Sequence, residues 1–100
     1  MELAMVDLAS VRAYRQAILA LASQHGARNV RLFGSVVRGD THSRSDIDFL
    51  IDLDPASTLL DWSAFWGGLQ QLLGRTVDVA TESSLRPAVR DQALREAVPL

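Results

Sequence analysis

Residues 32–53, LFGSVVRGDTHSRSDIDFLIDL, contain two apolar runs separated by a polar loop. The first run ends at Gly34 and Ser35, ten residues separate Ser35 from Asp46, and the second run opens with Asp46 and Asp48. Because side chains alternate along a strand, Asp46 and Asp48 are predicted on one face, with their Cα atoms ~6.5–7 Å apart. The stretch therefore predicts two strands, with a pair of carboxylates at the start of the second.

This pair of carboxylates points to a divalent cation. Two like charges on one face repel each other, and neither is stable as a bare buried charge. Magnesium prefers oxygen ligands and commonly binds one or two carboxylates together with substrate phosphates, so a cation between Asp46 and Asp48 would remove the repulsion. An isolated Asp-x-Asp is more often a solvated strand face or a turn, so the metal interpretation depends on the residues around it.

Composition narrows the classes of function. One hundred residues with a net charge of −2 predict a single domain, residues 1–100, with no bulk electrostatic reason to bind nucleic acid tightly. All ten cationic residues are arginines, which suit bidentate phosphate contacts, and the absence of lysine excludes Schiff-base chemistry and a P-loop lysine. The absence of cysteine excludes disulfides and zinc–thiolate sites. No signal-like N-terminus and no long apolar run is present, so a cytoplasmic protein that does not interact with a membrane is expected.

Helices and strands are predicted to alternate along the chain. The predicted elements are a helix over 8–25, a strand over 30–33, a helical turn over 35–39, a strand over 46–53, a helix over 59–73, a strand over 75–80 and a helix from 87 to about 97. This order predicts an α+β fold, a small mixed sheet flanked by helices. Asp78 is the only acid in its strand, and it would stand beside Asp46 and Asp48 if the third strand neighbours the second.

Capping residues mark the ends of two of these helices. Asp7 is predicted to cap the first helix and Gly26 to end it. Thr58 is predicted to cap the 59–73 helix, with Asp61 in a capping-box position, and Gly74 to end it. The last helix is predicted to turn its apolar side inward, with Leu85, Val89 and Ala93.

Taken together, the motifs resemble those of polymerase-β-type nucleotidyltransferases. Gly34-Ser35, then ten residues, then Asp46-x-Asp48, and a later acid in Val77-Asp78-Val79 carry the resemblance. The Gly-Ser-x-x-Arg-Gly form at 34–39, the short chain and the C-terminal segments LRPxxR and REAVPL are similar to the minimal nucleotidyltransferases, called MNT domains. The resemblance covers nearly the whole chain and implies a polymerase-β-like nucleotidyltransferase fold.

The resemblance also implies a role for each acid. By similarity, Asp46 and Asp48 hold two Mg²⁺ ions, with Mn²⁺ as an alternative, and Asp78 holds the catalytic ion and accepts the proton of an attacking hydroxyl. Two such ions clamp the attacking and leaving oxygens of phosphoryl transfer. Asp46, Asp48 and Asp78 are therefore both the expected metal ligands and the expected catalytic residues.

Nucleotide binding is implied for residues of the Gly-Ser turn. Gly34 and Ser35 would hold the β- and γ-phosphates of ATP or another NTP through backbone N–H groups and a hydroxyl. Arg38 would neutralise charge on the phosphates or on departing pyrophosphate, although a plain surface arginine is the alternative. Arg44 is a weaker phosphate candidate, and Asp52 is interpreted as structural or as an outer support of the acidic pair.

Two classes of function follow. The first is a metal-dependent enzyme that transfers AMP from ATP to a hydroxyl; MNT relatives commonly pair with a HEPN toxin, an RNase, and adenylylate a tyrosine on it, which makes them antitoxins. The second is a non-catalytic, nucleotide-binding antitoxin that neutralises its partner by contact. A third, weaker alternative is a transferase that modifies nucleic acid, although no stable nucleic-acid binding is expected from the acidic balance. The aromatic residues Trp62, Phe65 and Trp66 are predicted as core, with a partner surface as the alternative.

Overall fold

The computed structural model describes residues 6–42 and 45–100. Arg44 therefore lies outside the described residues. The helices are α1 (Leu8–Arg12), α2 (Arg15–Gln24), α3 (Ser35–Arg38), α4 (Leu59–Leu73) and α5 (Pro87–Glu96), with a 3₁₀ turn over Glu82–Ser84. The strands are β1 (Ala27–Phe33), β2 (Ile47–Leu53), β3 (Val77–Ala80) and β4 (Val98–Pro99).

The strands form one mixed sheet in the order β3-β2-β1-β4. β1 is antiparallel to both β2 and β4, whereas β2 and β3 are parallel and are connected through α4. A parallel pair needs a crossover connection, and the α4 helix supplies it. The predicted α+β fold with a small mixed sheet is confirmed.

The two faces of the sheet are buried to different extents. On one face, Ile47, Phe49 and Ile51 pack in the main core with residues of α2 and α4 such as Ile18 and Phe65. On the other face, a small cluster joins Phe33, Leu50 and Ala80 of the sheet to Ala93 of α5. Because α5 covers this second face only in part, the start of β2 stays accessible there, with Asp46 exposed and Asp48 half-buried.

The predicted first helix is wrong in one respect, since residues 8–25 form two helices. Asp7 does cap α1, accepting a 2.7 Å hydrogen bond from the Ser10 N–H. The Tyr14 N–H then bonds to the Val11 carbonyl rather than to the residue four positions back, which tightens the turn between the helices. Val11 and Ile18 are both fully buried, so the tightened turn still keeps both apolar positions in the core.

Several other boundaries differ from the prediction. The first strand starts at Ala27 rather than 30 and carries an irregularity between Arg28 and Arg31, where Asn29 has a φ of 51°. The third strand starts at Val77 rather than 75. Val98 and Pro99, beyond the last predicted element, form β4 on the side of β1 opposite β2. The predicted cap at Thr58, the predicted end of α4 at Gly74 and the predicted helix start at Pro87 are confirmed.

The prediction that Val89 faces the core is wrong. Val89 is 47% exposed, whereas Ala93 on the same helix is buried. The small side chain of Ala93 lets α5 approach the sheet at that point, and Val89 lies where the helix leaves a groove open.

The free edge of β3 is covered by the two tryptophans of α4. The indole N–H of Trp62 donates to the Val79 carbonyl at 3.0 Å, and that of Trp66 donates to the Val77 carbonyl at 2.9 Å. Phe65, between them in sequence, is fully buried, as predicted, while both tryptophans are half-buried. The aromatic residues of α4 thus pack in the core and also satisfy the backbone of an edge strand.

A glycine lets α4 approach α2 closely. A Cβ atom added at Gly68 would lie 2.8 Å from a methyl carbon of Leu21, whereas one added at Gly67 would meet nothing within 4 Å. Only the second glycine of this pair is needed for packing. No helix among the described residues is long and apolar enough to span a membrane.

Candidate active site

The Gly-Ser turn is held against the acidic strand by backbone pairing. Phe33, the last residue of β1, pairs with Asp48 of β2, so the chain turns at Gly34 directly beside the Asp48 carboxylate. Gly34 has φ 77° and ψ −152°, a conformation open essentially only to glycine, and a Cβ there would clash with Oδ2 of Asp48. The short helix α3 then starts at Ser35.

Parallel pairing brings together acids that are 30 positions apart in sequence. Asp48 of β2 lies directly opposite Asp78 of β3 in the strand register. Asp46 lies immediately before β2, two residues from Asp48, and is exposed. The predicted neighbourhood of the second and third strands is therefore confirmed, and it places Asp78 beside the Asp46 and Asp48 pair.

The pKa of Asp48 shows the electrostatic strain of this arrangement. Burial and then the negative charges of Asp78 and Asp46 raise the pKa of Asp48 from 3.8 to about 6, with Glu96 adding a smaller effect in the same direction. Arg38 acts in the opposite sense. The charged form of Asp48 is thus disfavoured where nothing positive binds between the carboxylates.

These residues fit a divalent cation whose coordination is completed by a substrate. Within residues 6–42 and 45–100, no group of three Asp, Glu or His side chains forms a metal-binding cluster by itself. Mg²⁺ is usually bound by one or two carboxylates plus waters and substrate phosphates rather than by an all-protein cage. The raised pKa of Asp48 and the open groove beside it match such a partial site.

The groove beside these acids is formed between the Gly-Ser turn and α5. It has a volume of about 270 Å³ and is lined on one side by Gly34, Arg38, Asp48 and Asp78. Its other wall is formed by residues of the last helix and the segment before it, namely Leu85, Val89, Gln92, Ala93 and Glu96. The groove therefore combines an acidic floor with a mixed wall, apolar at Leu85, Val89 and Ala93 and polar at Gln92 and Glu96.

Three larger grooves lie elsewhere among the described residues, the smallest of them, about 410 Å³, between α2 and α4 at Leu21 and Gly68. One of about 490 Å³ lies against Trp62 and Trp66, and has no titratable residue in its lining. Another of about 530 Å³ lies at the opposite end of β2 and includes Asp52. Size favours these grooves, but among the four only the smallest is lined by both Asp48 and Asp78, and chemistry rather than volume decides the assignment.

Arg38 and Glu96 form an ion pair at the mouth of the site. Nη1 of Arg38 lies 3.1 Å from both carboxylate oxygens of Glu96, and Nε of Arg38 donates to Asp40 at 3.2 Å. These hydrogen bonds, from Asp40 first and Glu96 second, raise the pKa of Arg38. Glu96 also accepts a 2.7 Å hydrogen bond from the Gly34 N–H.

Sequence reasoning missed Glu96 and Arg75. Glu96 is 62 positions from Gly34, and the only available signal was its spacing of three from Ala93, which places both on one face of α5. Arg75 donates from Nη2 to the Ser45 carbonyl at 3.0 Å and so holds the segment immediately before Asp46. No pattern in the sequence indicates this contact between Arg75 and Ser45.

Asp52 is placed away from the groove. Its carboxylate is bound by Arg31 at 3.0 Å and by Asn29 at 3.1 Å. These contacts agree with its interpretation as a structural residue. Asp52 also supplies a natural control, because it lies on β2 with Asp48 but faces different partners.

The fold and the site together define a class of protein. The family profile described as "Nucleotidyltransferase domain" matches residues 14–100, and the chain belongs to this family. Membership identifies it as a nucleotide-transferring enzyme, and the family generally uses divalent metal ions.

Individual relatives show more closely which nucleotidyltransferases the chain resembles. The chain is 37% identical over 78 residues to protein adenylyltransferase MntA of Thermococcus cleftensis, covering 78% of this chain and 79% of that protein. A solved structure provisionally described as a minimal nucleotidyltransferase is 45% identical, covers 97% of this chain and 99% of its own, and superposes with a TM-score of 0.84. A toxin–antitoxin complex crystallised with AMP-PNP superposes with a TM-score of 0.69, covering 84% of this chain and 69% of its own; at 21% identity it supports the fold alone.

Proposed function

We propose that this chain transfers AMP from Mg²⁺-ATP to a tyrosine hydroxyl of a HEPN-type toxin and acts as the cytoplasmic antitoxin of that pair. The observation that carries the proposal is the position of Asp48, which lies opposite Asp78 and against the Gly34 turn. One locus thus combines paired carboxylates with a glycine turn whose backbone lies directly beside them.

The acids and the Gly-Ser turn at the groove have separate roles in this reaction. Asp46, Asp48 and Asp78 would hold two Mg²⁺ ions, which when bound offset charge on the triphosphate and on the attacking oxygen. The turn at Gly34 and Ser35 holds the β- and γ-phosphates, and Arg38 lies at their outer end. Asp78 accepts the proton of the attacking hydroxyl, because it is the acid that β3 adds across from Asp48.

The bond changes are those of an in-line displacement. The tyrosine oxygen forms a bond to the α-phosphorus. The bond between the α-phosphorus and the oxygen that links it to the β-phosphorus breaks, and pyrophosphate leaves with the electron pair of that bond. The chain contributes mainly position and charge, as is usual for phosphoryl transfer.

The choice of acceptor is supported by the relatives. The curated homologue is named a protein adenylyltransferase, and a related fold occurs in a toxin–antitoxin complex with a bound ATP analogue. The net charge of −2 provides little counterion-release driving force for a polynucleotide acceptor. A protein partner that presents its own hydroxyl would supply the positioning surface instead.

Transfer is tested with α-labelled ATP, Mg²⁺ and either the HEPN-type partner or mixed RNA. We expect label on the partner, none after Asp48→Asn, and near-normal labelling after Asp52→Asn, the matched acid on the same strand. Efficient labelling of RNA with none on the partner would contradict the proposal. Neutralisation of the partner by Asp48→Asn without any label would favour the contact-only antitoxin.

A further inference from the structure

We propose that Glu96 is a built-in competitor for the phosphate-binding groups of the site, and that it sets how tightly a polyphosphate binds. The inference rests on the proposed nucleotide site. Glu96 lies at the C-terminal end of α5, and its side chain is only 17% exposed. It faces the two groups that the proposed function assigns to phosphate, the Gly34 backbone N–H and the Arg38 guanidinium.

The contact with Gly34 excludes a phosphate from the same donor. A backbone N–H carries one hydrogen, and at Gly34 it points to Oε1 of Glu96 at 2.7 Å. A phosphate oxygen that accepts this hydrogen must replace the carboxylate oxygen. Carboxylate and phosphate are thus alternative occupants of one position.

The contact with Arg38 weakens the attraction for phosphate as well. The guanidinium is bound by Asp40 through Nε and by both oxygens of Glu96 through Nη1. One positive charge is therefore shared by two negative groups, which leaves this trio with a net charge of −1. A triphosphate approaching the turn meets repulsion from Glu96 until that side chain moves away.

The position of Glu96 allows such a movement. It is the last residue of α5, and Ala97 after it already has an extended backbone conformation, with φ −61° and ψ 137°. Rotation about the side-chain bonds of Glu96 would carry the carboxylate out of the groove without breaking a helical hydrogen bond inside α5. The fully buried contact of α5 is made by Ala93, one turn earlier, and would be kept.

The consequence is a lowered apparent affinity. When the binding-competent state is only part of the population, the measured dissociation constant exceeds the intrinsic one by the inverse of that fraction. A polyphosphate with its cations can displace Glu96, because it replaces both the hydrogen bond and the charge. A ligand without phosphates gains nothing from the displacement.

The test compares wild type with Glu96→Gln by calorimetry, with Mg²⁺-AMP-PNP, Mg²⁺-tripolyphosphate and adenosine as probes. Glutamine keeps the size but removes the charge, and we expect both polyphosphates to bind about tenfold more tightly, as for a lost charged hydrogen bond, with adenosine unaffected. The unfolding temperature of the ligand-free variant should fall, because the Arg38 ion pair is lost. A purely structural role predicts that stability and affinity fall together.

Two further variants keep the result interpretable. Glu82→Gln alters a carboxylate 3.9 Å from Arg31, outside the groove, and should leave both affinities unchanged. Glu96→Asp keeps the charge but shortens the reach, and it should also tighten polyphosphate binding if Glu96→Gln does not fold. Unchanged or weaker binding in the Glu96 variants overturns this inference alone, whereas failure of every variant and of wild type to bind AMP-PNP overturns the proposed nucleotide site as well.

Discussion

Asp48 and Asp78 face each other across the only parallel strand pair of the described sheet. Local sequence does not bring the two residues together, since α4 lies between their strands along the chain. The crossover through α4 therefore aligns the two acids, and a shift of β3 by one residue would move Asp78 to the opposite face. The chemistry of the site depends on strand register as much as on residue type.

The burial of Asp48 and its repulsion by neighbouring acids predict a stability that depends on pH. Folding raises the pKa of Asp48 from 3.8 to about 6, so the folded state holds the proton more tightly. This contribution to stability is complete below pH 3.8 and is lost as the pH rises through about 6. In metal-free protein, Asp48→Asn should therefore raise the free energy of unfolding at pH 7 by on the order of 1–2 kcal/mol, after allowance for solvent screening, and change it little at pH 4.

Chemical denaturation of both proteins at pH 4, 5, 6 and 7 in EDTA measures this difference. Asp52→Asn serves as the control and should destabilise instead, because it breaks the contact with Arg31. A gain from Asp48→Asn that is equal at all four pH values would show that the partly buried charge of Asp48 is not its source.

Gly34→Ala should disrupt the site. The backbone has a positive φ of 77° there, and the new Cβ would press on the Asp48 carboxylate. We expect a loss of ~2 kcal/mol or more in stability, or a displaced turn with AMP-PNP binding at least about tenfold weaker.

Gly67→Ala is the matched control for this change. Gly67 is helical and has open space around its Cα, so alanine should stabilise α4 by about 0.5–1 kcal/mol without changing nucleotide affinity. Thermal unfolding and calorimetry on both variants give the comparison. Full AMP-PNP affinity in Gly34→Ala would argue against phosphate binding by this turn.

Arg75→Ala should disturb the position of Asp46 while leaving its side chain in the protein. Arg75 is half-buried and holds the Ser45 carbonyl at 3.0 Å, one residue before Asp46. Its loss should loosen this segment, speed amide hydrogen exchange at Ser45 and lower AMP transfer by about tenfold, since small misplacements of catalytic groups are costly. If transfer fell while amide exchange at Ser45 stayed normal, the loss of transfer would have a cause other than loosening of this segment.

Trp62→Phe should destabilise the β3 edge. Phenylalanine retains most of the packing area but leaves the Val79 carbonyl without the indole N–H, at a cost of about 1–2 kcal/mol. Trp66→Phe should act in the same way on Val77, and the double variant should aggregate more readily because the edge is then open to other strands. Urea denaturation and light scattering measure the two effects, and a soluble double variant of wild-type stability would contradict both.

Local sequence patterns predicted most of the fold but only part of the site. Asp7, Thr58 and Gly74 mark element ends through contacts within a few residues, and these predictions are confirmed. The split of the first helix was missed because apolar spacing at Val11 and Ile18 is the same with or without the tightened turn. Glu96 and Arg75 act on residues 62 and 30 positions away, and such contacts follow from tertiary packing rather than periodicity.

The tryptophans of α4 also make strand β3 visible by fluorescence. The chain contains only two tryptophans, and their indole N–H groups bond to the carbonyls of Val77 and Val79, the residues on either side of Asp78. Indole emission responds to hydrogen bonding and solvent access, so a movement of β3 on addition of cation or nucleotide would change the emission spectrum of the protein. The native sequence thus carries its own optical reporter of the strand that supplies its third acid, with no label to introduce.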